Sequence, residues 1–214
     1  MIDKCKICSS STKTLEDPQL KVSYSICKSC GFIYKNPSFH LAADAEHKQY
    51  KRHNNSLECS GYVKIFTDLI EEYIKPLHFT GKVLEFGSGP NPVLKILLER
   101  EKYQVFDYDP FFNPNEDYKK YKYDLITTTE VAEHFNDPLK EFNHLSSLLN
   151  KGRYLIVMTK LRLMSQSEFL NWWYRRDITH ISFYSLETLE YIANLYNLEL
   201  FKHNNNNIIV FKKK

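Results

Sequence analysis

Glu85, Gly87 and Gly89 form a Glu-x-Gly-x-Gly pattern at the end of an apolar run, and Asp109 follows Gly89 by twenty residues at the end of a second run. A buried strand, a glycine turn, a helix and a strand ending in an acid is how a doubly wound sheet holds a nucleoside. The glycines admit close approach of the backbone, and Asp109 can accept the ribose hydroxyls. In a dinucleotide fingerprint a third glycine follows and a pyrophosphate meets the helix N-terminus. Here that position is Pro92, and Pro90 and Pro92 remove amide donors that a diphosphate needs. Glu85 repels phosphate and suits a cation. S-adenosylmethionine (SAM) carries a sulfonium and an ammonium and no phosphate, so it fits where a nicotinamide dinucleotide does not. A bare tight turn is the competing reading, and Glu85 with Asp109 argues against it.

Four thiols form a second group. Cys5-x-x-Cys8 and Cys27-x-x-Cys30 are separated by eighteen residues, the pattern of a tetrahedral structural zinc site. Gly31 permits a sharp exit from the second knuckle, and Lys21 to Ile26 reads as the strand that delivers it. Some forty residues bury too little apolar surface alone, so metal is expected to hold this module folded. Cys59 stands apart as a plain small side chain.

Two further clusters carry ionisable side chains. Glu130, Glu133 and His134 have i, i+3, i+4 spacing and can share a helical face. Three readings stay open: an acid/base pair with His134, a divalent-metal site, or Glu130 on the cofactor with His134 structural. The segment Asn171 to Ser185 holds both tryptophans, with Trp173, Tyr174 and Arg175 as candidate acceptor contacts. Aromatics give flat walls and arginine can clamp an anion. His180 is the candidate general base, with Asp177 three residues earlier to orient it. The competing reading is an aromatic core anchor with a salt-bridged arginine.

These residues need a frame. Strands are expected at 82–86, 103–107, 123–127, 153–159, 198–202 and 208–212, and helices at 92–101, 138–149 and 186–196. Tyr62 to Ile74 has apolar residues at helical spacing and ends at Pro76. Asn36 to Gly61 reads as a polar linker, including Tyr50 to Asn55. Asn204 to Asn207 suits a hairpin turn, because Asn tolerates positive φ. The division that follows is a zinc ribbon over 1–37, a linker and packing helix over 38–80, and a doubly wound α/β domain over 81–214.

From Gly81 onward the chain resembles the class I SAM-dependent methyltransferases. Tyr123 to Ile126 with Thr129 to Pro138 is similar to the fourth-strand motif of the quinone-biosynthesis O-methyltransferases, and Leu148 to Val157 resembles the turn and strand that follow. The resemblance implies a Rossmann-like, mostly parallel sheet with an antiparallel last strand. It implies that Glu85, Gly87 and Gly89 wrap the methionine part of SAM, that Asp109 binds ribose, and that Thr129 and Glu130 line the cofactor. The chain departs from that family in two places. Asn91 stands where a third glycine is frequent. Only fourteen residues separate Asp109 from Asp124, too few for the usual helix and third strand. A truncated sheet is expected, with Phe111 or Phe112 walling the adenine pocket.

With 214 residues and a net charge of +3, the chain can hold one core and a small appendage, and it lacks a strong electrostatic case for nucleic acid. Met1 to Lys4 shows no signal-peptide start and no run approaches a membrane span, so a cytoplasmic protein is expected. A small-molecule acceptor is expected. RNA gripped by the ribbon and by Lys48, Lys51 and Arg52 is the alternative. A non-catalytic SAM-binding scaffold is a third, motivated by the missing third-strand unit. The sequence leaves the oligomeric state open.

Overall fold

A computed structural model describes residues 4–52, 56–162 and 165–214. Met1 to Asp3, on which the absence of a leader was read, and His53 to Asn55 of the linker lie outside the described residues.

The chain starts with β1 (Thr12–Asp17), β2 (Val22–Cys27) and β3 (Ile33–Lys35), an antiparallel set that carries the four cysteines at its knuckles. The polar linker contains a helix that the sequence reading missed, α1 (Ala43–Tyr50). It buries no residue completely, so no apolar stripe marks it. α2 (Ser60–Leu69) continues through a widened π turn to Ile74, and its Phe66, Leu69, Ile70 and Ile74 are buried. The main sheet then begins with β4 (Lys82–Phe86), followed by α3 (Val93–Arg100), β5 (Gln104–Tyr108), β6 (Tyr123–Thr129), α4 (Pro138–Leu148) and β7 (Leu149–Met158). The segment after it holds α5 (Gln166–Asn171) and β8 (Ser182–Phe183), and the chain closes with α6 (Leu186–Leu195), β9 (Leu198–His203) and β10 (Ile208–Lys213).

The main sheet has the order β5-β4-β6-β7-β10-β9. β5, β4, β6 and β7 are parallel, and β10 and β9 are antiparallel. The fold is thus the expected Rossmann-like α/β sheet with an antiparallel end. β4 reads Val83-Leu84-Glu85-Phe86, all buried, as a central parallel strand covered on both faces must be. One face packs α2 and α3 through Phe66, Leu94 and Leu98; the other packs α4 and α6 through Phe142, Leu145 and Ile192. β5 is the sheet edge. Between it and β6 the chain makes only a 3-10 turn at Glu116–Lys120, so the third-strand unit is absent there. The Asn204 side chain accepts the N–H groups of Asn206, Asn207 and Ile208 and closes the last hairpin.

The cysteine-bearing hairpin is built into this core. Cys5, Cys27, Cys30, Phe32 and Tyr34 belong to the same apolar cluster as Phe142 and Ile192, and β8 joins the small sheet as its fourth strand, in the order β1-β2-β3-β8.

Candidate active site

Ligands of open α/β sheets sit beyond the carboxyl ends of the strands. At the end of β4, Gly87 has φ +86°, and a Cβ there would meet Val131 Cγ2 at 2.3 Å. Glycine is therefore required twice, for its backbone angle and for its clearance. Gly89 has φ +66° and open space in front of it, which leaves a cradle above the turn. The Gly87 and Ser88 N–H groups donate to the Tyr108 carbonyl at 2.7 and 3.2 Å, fastening this turn to the end of β5.

Glu85 lies buried at the register of Asp107 and Thr127. Its Oε2 accepts the Lys95 N–H at 2.9 Å, inside the first turn of α3. Burial pushes its carboxyl up to about 8 against that hydrogen bond, and Asp107 and Asp109 add to the rise. A carboxylate so starved of solvent favours a cation in the open cradle, as an ammonium would supply. Asp109 accepts the Gly89 N–H through Oδ2 at 2.9 Å and the Phe111 and Phe112 N–H groups through Oδ1 at 2.8 and 3.0 Å. A carboxylate has about four acceptor positions. Three are taken by backbone N–H groups, so one remains open.

Phe111 and Phe112 face α1. His47 stacks on Phe111 with centroids 5.2 Å apart and meets Phe112 edge-on at 5.1 Å. Tyr50 touches Phe111 and also the His134 ring, at 5.6 and 5.2 Å. The helix missed in the linker thus covers both ends of the crevice.

Beyond β6 the chain turns through Glu130 at φ +54° into a 3-10 turn that carries Glu133 and His134. Glu133 is fully buried. Tyr174 Oη donates to its Oε1 at 2.5 Å, and Thr159 Oγ1 donates to its Oε2 at 2.8 Å. Tyr174 Oη also lies 3.2 Å from Glu130 Oε2. His180 Nδ1 faces the Tyr174 carbonyl at 2.8 Å, and His134 Nδ1 faces the Thr179 carbonyl at 3.1 Å. A ring nitrogen opposite a carbonyl carries the proton, so both Nε2 lone pairs are free. His180 Nε2 lies 4.0 Å from Glu133 Oε1 and 3.9 Å from Asp177 Oδ2, within hydrogen-bond reach of neither. Burial depresses both imidazoles, His180 to about 3, and raises the Glu133 carboxyl, which keeps the histidines neutral.

Three sequence assignments change. Arg175 is 1% exposed and pairs with Asp17 at 3.1 Å, with the Gln19 side chain and the Leu170 carbonyl beside it. It locks the cysteine hairpin to this segment and reaches no crevice, so it clamps no acceptor. Asp177 does not orient His180. Its Oδ1 is held by the Thr179 N–H and hydroxyl, and its Oδ2 is 3.9 Å from Nε2, beyond hydrogen-bond reach. The Tyr174 carbonyl does the orienting. Tyr174 itself is buried with its hydroxyl on Glu133, leaving Trp173, 62% exposed, as the open aromatic surface.

Two groups have the donor chemistry for metal. Cys5 and Cys30 sulfurs are 3.5 Å apart and those of Cys8 and Cys27 are 3.4 Å apart. A tetrahedron of sulfurs 2.3 Å from zinc has edges of about 3.8 Å, so the four fit. The ligand atoms of Glu133, His134 and His180 lie within 4.8 Å of one another. Two imidazoles and a carboxylate, each ring anchored through its other nitrogen, suit a divalent transition metal.

A Rossmann-like sheet with a glycine turn over its first strand, a buried acid beneath the turn and an antiparallel closing pair defines a methyltransferase frame. The chain belongs to the methyltransferase domain family, whose model matches residues 46–203. Magnesium protoporphyrin IX methyltransferase from Synechocystis PCC 6803, solved with bound SAH, is similar at 12% identity and a TM-score of 0.58, over 81% of this chain and 95% of that one. A SAM-dependent methyltransferase from Archaeoglobus fulgidus is similar at 15% identity and a TM-score of 0.52, over 71% and 94%. A methyltransferase of calicheamicin biosynthesis, also SAH-bound, aligns at 13% identity and a TM-score of 0.55, over 81% and 61%. At these identities the likeness is one of fold. The comparison with curated proteins gives no match. Among the described residues, no helix is long and apolar enough to cross a membrane.

Proposed function

We propose that this protein transfers a methyl group from SAM to a hydroxyl of a small or medium-sized acceptor. What supports the reading is that two groups of residues beyond the carboxyl ends of neighbouring strands β4 and β6 adjoin, through Val131 against Gly87 and Tyr50 against both Phe111 and His134. One is the cradle over Glu85, Gly87 and Gly89; the other is the convergence of Glu133, His134 and His180 beyond β6. SAM supplies, when bound, a methyl already activated on a sulfonium. The chain has to align, shield and charge-match. Glu85 faces the ammonium, Gly87 and Gly89 wrap the methionine part, Asp109 takes a ribose hydroxyl, and Thr129 and Glu130 line the path to the acceptor. Phe111 and Phe112 wall the adenine.

On the acceptor side, Glu133, His134 and His180 would hold a divalent cation, which would supply Lewis-acid assistance to removal of the acceptor's proton. Tyr174 and Thr159 fix the Glu133 carboxylate, and the Tyr174 and Thr179 carbonyls fix the two rings. The motif of the quinone-biosynthesis O-methyltransferases, Thr129 to Pro138, contributes Glu133 and His134. Cys5, Cys8, Cys27 and Cys30 would hold a separate structural zinc.

The test uses methyl-labelled SAM with a metabolite extract and with total RNA. Label in small molecules, lost after mild chelation that leaves the cysteine-bound metal in place and regained with added Mn2+, is the expected result. Chelation-insensitive transfer would return His180 to the role of general base. Label in RNA, with binding that falls steeply as salt rises, would replace the small acceptor with a nucleic acid. SAM binding without transfer to either pool would leave a scaffold.

A further inference from the structure

The cysteine hairpin and the wall that carries His180 share one sheet. β3 leaves the second knuckle just after Cys30, pairs with β2 on one side and receives β8 on the other, with Ile33 opposite Phe183 and Tyr34 opposite Ser182. β8 lies at the end of that sheet, so β3 is its strand partner. One residue further, the Lys35 N–H donates to the Ile181 carbonyl at 2.8 Å, and Lys35 Nζ donates to the Ile178 carbonyl at 3.1 Å. His180 lies between those two carbonyls. Lys35 is 3% exposed. An amine is rarely placed so deep unless its hydrogen bonds are used.

The same segment is fastened to the hairpin at two more points. Arg175 reaches Asp17 at the far end of β1. At the knuckle, the Cys30 carbonyl accepts the Thr188 hydroxyl at 2.7 Å, and a Cβ on Gly31 would strike Ser185 Oγ at 2.3 Å. The cofactor turn is held differently. The side-chain hydrogen bonds of Glu85 and Asp109 and the Gly87 N–H go to Lys95, Gly89, Phe111, Phe112 and Tyr108, none of them in the hairpin.

We propose that the cysteine-bound metal frames the acceptor wall through β3, and that Lys35 is the positioning residue that carries this order to the turn 178–181. The inference rests on the assignment of that wall to the acceptor side. Metal in the knuckles fixes where β3 starts, β3 fixes β8, and Lys35 pins the turn that presents His180. A ribbon acting as a detachable grip would instead open without moving the wall.

The chain has two tryptophans, Trp172 and Trp173, and both lie in the wall, with Trp172 only 8% exposed. Trp172 packs in the cluster that Tyr24, Ile26 and Ile33 of the hairpin share with Phe169, Tyr174 and Phe183 of the wall, so its emission reports on the junction of the two. The experiment takes full-length zinc-replete protein and measures acrylamide quenching and adenosylhomocysteine calorimetry before and after chelation of the cysteine-bound metal. Quenching is expected to rise roughly twofold as Trp172 becomes accessible and to reverse with zinc. Adenosylhomocysteine affinity should stay within about threefold. Unchanged quenching after metal release overturns the proposal, as does a rise in quenching with amides 178–183 still exchanging at the metal-bound rate, and so does parallel loss of adenosylhomocysteine binding. If zinc-replete protein binds no adenosylhomocysteine, the cofactor reading fails instead.

A second arm leaves the metal in place. Lys35→Met keeps the buried stem and deletes the donor, and Lys35→Arg restores a donor. Lys35→Met is expected to hold zinc stoichiometrically and to bind adenosylhomocysteine normally. Its amides 178–183 should exchange faster than wild type, with recovery in Lys35→Arg. Wild-type exchange in Lys35→Met removes Lys35 from the role.

Discussion

The two halves of the crevice are put together in different ways. The cofactor half comes from a single β-α-β unit: Glu85, Gly87, Gly89 and Asp109 lie within twenty-five residues of one another. Their positions follow from one turn and one register, with Glu85 opposite Asp107. The half proposed for the acceptor is assembled from four distant pieces: Lys35, Glu133, Thr159 and the segment that carries both Tyr174 and His180. A local unit can be specified by a short pattern. An assembled wall needs the long-range contacts that hold its parts, and those contacts are buried and polar. Damage should therefore stay local on the cofactor side and spread on the acceptor side.

The sharpest way to break this contrast is at Arg175. Truncating one partner of a fully buried ion pair strands the other charge, at about 3–5 kcal/mol. Arg175→Ala should lower the melting temperature markedly, while the double variant Asp17→Leu/Arg175→Met should recover most of the loss. A double variant as unstable as the single would show that the pair does more than fill and neutralise its site.

Next in size are the acceptor-side groups. Glu133→Gln and His134→Ala should each reduce turnover by about 10²–10³-fold and leave SAM affinity nearly unchanged in calorimetry. A matching loss of SAM affinity would merge the two halves into one site.

On the cofactor side the expected effect is smaller and depends on pH. The ordinary carboxyl value of 4.5 is raised by burial to about 8 at Glu85. The stabilising contribution of the protonated form is then complete below 4.5 and is lost as pH rises through 8. SAM-free protein should lose thermal stability across that window, and Glu85→Gln should flatten the loss. SAM affinity of the wild type should rise across the same window and that of Glu85→Gln should not. A flat wild-type profile would take the ammonium away from Glu85. The smallest effect belongs to Trp173→Ala. It should raise the acceptor KM severalfold, about 1 kcal/mol of lost aromatic contact, without changing SAM binding or stability.

The same contrast decides what was legible in the chain. The Glu-x-Gly-x-Gly turn and the strands around it were readable because their determinants are contiguous, and the short Asp109 to Asp124 interval announced the missing third strand. The clash that demands Gly87 comes from Val131, far along the chain, and no local pattern contains it. Arg175 looked like an anion clamp because its neighbours are aromatic. Its partner, Asp17, lies in a hairpin more than 150 residues away. Asp177 has a spacing to His180 that suggests a dyad, but the Thr179 N–H and hydroxyl capture its carboxylate first. α1 escaped because it meets Phe111, Phe112 and His134 through His47 and Tyr50 and shows no apolar stripe. The sequence singles out His180 as a candidate base by its neighbours alone. Its meeting with Glu133 and His134 is a product of tertiary packing.

The edge position of β5 has one more consequence. With only a 3-10 turn beside it, no strand end stands there to present an acid to the exocyclic amine of the base. On the proposed cofactor placement, purine discrimination would then fall to ring stacking, which is indifferent to substituents on that amine. SAM analogues enlarged at N6 should bind this protein with little loss, a tolerance that could be used to label its products selectively.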